Sequence, residues 1–74
     1  MYLVICSFSD HNIIGSRKTV GNATSEQNCF MLVMEKEPIA NGVILTKTGE
    51  CSAAFGTRMT KSDSHRACKL EGNK

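Results

Sequence analysis

Tryptophan is absent from this chain, tyrosine occurs once, as Tyr2, and phenylalanine three times. Large aromatic anchors for a self-sufficient core are therefore scarce. No apolar run exceeds six residues, far short of the roughly 20 that a membrane-spanning helix needs. The charge is close to balanced as well, with nine Lys and Arg against seven Asp and Glu, a formal +2. That excludes a protein built around an acidic or basic tail. There is no internal repeat and no low-complexity tract. The stretch from Gly15 to Gly21 lacks the spacing and the Lys-Ser/Thr ending of a phosphate-binding loop.

What is present fits one small domain over residues 1–74. Leu, Ile, Val and Phe make up 16 of the 74 residues, just above the roughly 20% below which chains tend to stay disordered. A domain near 60 residues buries only about 60% of the surface its unfolded chain exposes. Such domains often lean on a disulfide, a metal or a partner chain, and a homodimer is one expected solution.

The four cysteines, Cys6, Cys29, Cys51 and Cys68, stand 23, 22 and 17 positions apart, with no tight pair. They read either as reduced, buried small hydrophobes or as two disulfides in one of three connectivities. Residues 1–8 lack the charged start and small-residue cleavage site of a secretion signal. The expectation is therefore reduced thiols and a cytoplasmic location. Asn22-Ala23-Thr24 fits a glycosylation acceptor, a triplet without consequence in that compartment.

The apolar pattern predicts a mainly β fold, a small twisted antiparallel sheet or open barrel of about five strands. These fall near residues 2–8, 12–20, 29–37, 43–47 and 50–56, with a short helix within 62–71. Residues 2–8 are apolar on both alternating faces, as a covered strand would be. Gly15 marks a bulge or bend. The run Cys29-Phe-Met-Leu-Val-Met34 covers every side of a helix, which favours a buried strand. The alternative is α+β with residues 25–36 helical, because Thr24 and Gln27 fit a capping box, Glu26 suits a first turn and Pro38 follows the end. Lys47-Thr48-Gly49 reads as a three-residue hairpin loop. It sets Leu45 opposite Cys51 and Val43 opposite Ala53, and places Val43, Leu45, Cys51, Ala53 and Phe55 on one face. In the last segment Ser62 or Asp63 would cap a helix with Ala67 and Leu70 on its apolar side, docked on the sheet or left as a loose tail over 62–74.

Four groups of residues carry candidate chemistry. Cys6 and His11, with His65 and Cys68, could supply four zinc ligands if the chain ends meet, but neither half has the usual close Cys pair. The expectation is no metal and no cofactor. His65 and Cys68 would be neighbours on a helix, yet so small a chain has little mass to build a pocket with oxyanion donors. The protein is therefore read as not an enzyme. Arg58, Lys61, Arg66 and Lys69 belong to a C-terminal segment of local charge +3 and could contact phosphates, with Arg17 and Lys18 beside them. The doubly apolar segments 2–8 and 29–34 suggest a surface for another protein.

The functional expectation is thus a non-catalytic protein-binding module, a small regulator or inhibitor docking on a larger protein. Its contacts would be apolar sheet surface with Glu35, Glu37 and Glu50, or the basic edges. The alternative is a nucleic-acid-binding module using Arg58, Lys61, Arg66 and Lys69. No membrane association is expected.

Overall fold

The computed structural model describes residues 6–70. It contains β1 (His11–Ile14), β2 (Arg17–Asn22), α1 (Glu26–Lys36), β3 (Gly42–Thr46), β4 (Glu50–Ala54), β5 (Arg58–Lys61) and β6 (His65–Lys69). Among the described residues the fold is mainly β, with two antiparallel sheets and one helix. One sheet has four strands in the order β2-β4-β3-β6, and the other pairs β1 with β5.

The central hairpin follows the expected register. Leu45 faces Cys51 and Val43 faces Ala53. Gly49 takes the left-handed conformation at φ +96°, and its N–H donates to the Thr46 carbonyl at 3.0 Å. Val43 and Ile44 are both fully buried, because β3 is covered on both faces of the sheet. One cluster unites Val20, Cys29, Val33, Ala40, Val43, Cys51, Ala53 and Cys68, with Leu45, Phe55 and Leu70 packed against it. The other unites Ile13, Ile44, Ala54 and Ala67, with Met59 beside it.

Residues 29–37 are not the expected strand. They lie in and just after α1, as the alternative reading had it. The cap sits one residue later than the capping box implied: Ser25 Oγ accepts from the Asn28 N–H at 3.1 Å. Glu26 stands in the first turn and Lys36 in the last, where each complements the helix dipole. The Glu37 N–H closes the end on the Val33 carbonyl. The apolar run is tolerated because Cys29 and Val33, four apart, are buried in the sheet cluster while Phe30 and Leu32 pack at its margin. Met31 is left 58% exposed.

The expected strand over 12–20 divides at Gly15 into β1 and β2. The two form one bent arm. β2 pairs with β4 and β1 pairs with β5, so the arm and its partner fold over together onto the second face of the main sheet. The bend depends on glycine. At Gly15 (φ +123°) and Gly56 the two backbones cross so closely that a Cβ on Gly56 would collide with the Ile14 carbonyl oxygen. The Phe55 N–H donates to the Ser16 carbonyl at 2.8 Å beside the crossing.

The expected C-terminal helix is absent from the described residues: 58–61 and 65–69 are strands. Ser62 and Asp63 lie in the connection between them and cap nothing helical. β3 offers a full edge of backbone groups, and β6 takes it in register, Val43 with Cys68 and Ile44 with Ala67. A short helix is marginal alone, whereas this pairing satisfies the backbone and buries Ala67 and Cys68 together. Ala67 and Leu70, expected on one helical side, go to opposite faces of the sheet. Most of the expected strand 2–8 lies outside the described residues. Residues 6–8 are not in a strand, and Ser9 forms a single bridge to Ala67.

Candidate binding groove

Both pairs of cysteines are joined. Cys6 bonds Cys68 across 62 residues, and Cys29 bonds Cys51 across 22, with Cα separations of 5.2 and 5.4 Å. The expectation of reduced thiols is therefore corrected. The spacing of Cys6 and Cys68 hid the pairing because only the tertiary fold brings residues 62 positions apart together. All four cysteines lie on the helix side of the main sheet, in or against its cluster.

A groove of about 290 Å³ opens between residues 6–8 and the first turns of α1, lined by Cys6, Phe8, Glu26, Gln27 and Phe30. Its two walls are fastened to β6. On one side, Cys6 is bonded to Cys68, and Ser9 exchanges two backbone hydrogen bonds with Ala67, each 3.0 Å. On the other, Arg66 Nε donates to Glu26 Oε2 at 2.6 Å. The same guanidinium donates through Nη1 to Asp10 Oδ1 at 2.9 Å and through Nη2 to the Phe8 carbonyl at 3.5 Å. Arg66 and Cys68 are two residues apart on one strand, so they project to the same face. That parity lets one strand hold both walls. The hydrogen bond to Glu26, and then that to Asp10, raises the Arg66 pKa above its already high ordinary value. Beyond the rim, Met31 stands one helical turn from Gln27 and extends the apolar surface into solvent.

The cations expected to contact phosphate do not converge. Arg58 and Lys61 lie three apart on β5, as do Arg66 and Lys69 on β6, so each pair points to opposite strand faces. Arg66 is engaged by two carboxylates, whereas Arg58, Lys61 and Lys69 are exposed. Arg17 Nη2 donates to Asn12 Oδ1 and to the Ile13 carbonyl, both at 2.9 Å. Lys18 pairs with Glu37 at 3.2 Å. Glu35 is exposed on α1 and Glu37 caps its C-terminus, so the two carboxylates do not alternate on a strand.

The histidines are held by neighbouring hydroxyls. His11 Nδ1 lies 2.8 Å from Ser9 Oγ, and His65 Nδ1 lies 3.0 Å from Ser62 Oγ and 2.9 Å from Ser64 Oγ. Cys6 and Cys68 spend their sulfurs on each other. Among the described residues no three His, Cys, Asp or Glu side chains gather as a metal site. His65 and Cys68, expected as helical neighbours, sit on opposite faces of β6, and Cys68 carries no thiol.

Among the residues of the groove, sequence reasoning singled out segments 2–8 and 29–34 for their apolar faces but did not place Phe8 beside Phe30. The available signal was the capping pattern around Ser25. Read as a helix start, it sets Gln27, Phe30, Met31 and Met34 along one side of α1. Among the described residues no helix is long and apolar enough to cross a membrane. No protein-family model matches the chain, and neither does any curated protein or any solved structure.

Proposed function

We propose that this chain is a non-catalytic protein-binding module, a small regulator or inhibitor that docks on a larger protein through the groove between residues 6–8 and α1. The observation that carries this reading is that both walls are tied to one strand, by the Cys6–Cys68 bond and by Arg66. A surface held in place before binding loses less freedom on association. The groove's size supports a protein partner over a small metabolite. Drug-sized ligands occupy clefts of roughly 300–1,000 Å³, and 290 Å³ is at the foot of that range. It suits one or two projecting apolar side chains. Glu26 and Gln27 on the rim supply hydrogen-bonding groups to orient them. The two disulfides support an oxidising compartment in this reading, since such bonds are rare where glutathione keeps thiols reduced.

The test is capture from the source material by the immobilised, disulfide-bonded protein, with and without nuclease. One protein should be retained after nuclease. Met31→Asp should weaken its binding by roughly 30-fold, the effect of losing about 2 kcal/mol at a contact hot spot, with an unchanged melting temperature. Capture that vanishes with nuclease, or with Arg58→Ala and Lys61→Ala but not with Met31→Asp, would replace this reading with nucleic-acid binding. Light scattering decides the homodimer. A dimer that Met31→Asp dissociates would identify the partner as a second copy of the chain.

A further inference from the structure

The chain holds one Asn-x-Ser/Thr triplet, Asn22-Ala23-Thr24, with a residue other than proline in the middle. We infer that Asn22 is an acceptor for N-linked glycan. Two independent observations join here. The first is the pair of disulfides, which belongs to the oxidising compartments where such glycans are attached. This inference shares the compartment with the functional proposal and is independent of the groove.

The second is the placement of the triplet. Asn22 is the last residue of β2, an edge of the four-stranded sheet, opposite Glu50 near the turn of the central hairpin. Both Asn22 and Thr24 are exposed. The chain leaves the sheet immediately afterwards: the Ala23 N–H donates to the Gly49 carbonyl at 2.8 Å, and a bend at Thr24 and Ser25 leads into α1. The Thr24 hydroxyl is held only by a long 3.4 Å bond from the Asn28 amide. A sugar on Asn22 therefore displaces no core atom. Asn22 is not among the residues lining the groove.

The reaction needs a lipid-diphosphate-linked oligosaccharide as donor and its transferase. The Asn22 Nδ2 forms a bond to the anomeric carbon of the first sugar. The bond from that carbon to the diphosphate oxygen breaks, the lipid diphosphate leaves, and the amide nitrogen gives up one proton. No electrons are exchanged. The glycan would stand at the end of the β2 edge, where its bulk also opposes the addition of a foreign strand. The exposed Lys18 and the register shift between Thr19 and Gly21 work in the same direction.

The full chain, expressed behind a secretion leader in a eukaryotic host, tests this by intact mass and by peptide mapping of total protein, intracellular and secreted. The expected result is a heavier form that peptide N-glycosidase converts to the unmodified backbone with Asp at position 22. Asn22→Gln and Thr24→Ala should abolish that form, and Thr24→Ser should keep it. Because the glycan is added before folding is complete, the wild-type peptide map reports occupancy even from chains that fail to leave the cell. An unmodified Asn22 peptide throughout the wild-type material overturns the inference. So does a glycosidase-sensitive mass shift that survives Asn22→Gln.

Discussion

The two faces of the four-stranded sheet are closed by different means. On one face α1 covers Val20, Val43, Cys51, Ala53 and Cys68, and both disulfides lie on that side. On the other, the β1–β5 pair covers Ile44, Ala54 and Ala67 with little more than Ile13 and Met59. The helix face is stapled covalently at two points. The other face, with no disulfide among the described residues, depends on close backbone approach where Gly15 meets Gly56 and where Gly42 leaves room for Ile13. The difference shows two ways for a small chain poor in aromatics to close a core. Cross-links restrict the unfolded chain, and missing side chains let two layers come into contact.

The largest expected effects come from cutting the staples. Replacing Cys6 and Cys68 with Ala frees a loop of 62 residues, worth about 4 kcal/mol on the chain-entropy relation. Replacing Cys29 and Cys51 frees 22 residues, worth about 3 kcal/mol. Urea midpoints of the two double variants measure both. Equal losses would mean that local packing around each bond matters more than loop length. The first variant should also release residues 6–8 and abolish groove binding.

Gly56→Ala probes the other face. Overpacking costs typically 1–3 kcal/mol where side chains can yield. Here the new methyl meets the Ile14 carbonyl, which is backbone, so a loss of about 3 kcal/mol is expected. Hydrogen exchange should rise first in β1 and β5 while α1 stays protected. Opening that began at α1 would show that the two faces are not independently held.

The smallest effect is expected for Ile13→Val. Ile13 is fully buried between the layers, and removing one methyl costs about 1 kcal/mol. A thermal melt measures it. A much larger loss would mean that the thin second layer cannot relax around so small a void.

The parts legible in the sequence are those whose signals are local. The Lys47-Thr48-Gly49 turn and the alternation of Val43, Leu45, Cys51 and Ala53 agreed on one register, and the structure has it. Gly15 was readable as a bend and is one. The groove was half legible. Its apolar segments stood out, but the choice between strand and helix for 29–34 set Thr24, Gln27, Glu26 and Pro38 against a run with no polar side. The capping groups decided it, because a helix laid across a sheet can bury one stripe, rest its flanks at the cluster margin and leave Met31 outside.

By itself, then, the sequence determined a mainly β chain, its central hairpin and the bend at Gly15, and it offered α1 only as the alternative to a strand. Each depends on residues a few positions apart and on backbone preferences that act before the chain collapses. Only the tertiary structure decided that residues 65–69 form a strand, which cysteines pair, and that Arg66 ties Glu26 to Phe8. Those outcomes depend on which edge of β3 stays open and which chain segments reach it. Contacts between residues distant along the chain, 22 positions for one disulfide and 62 for the other, leave no periodicity behind in the sequence.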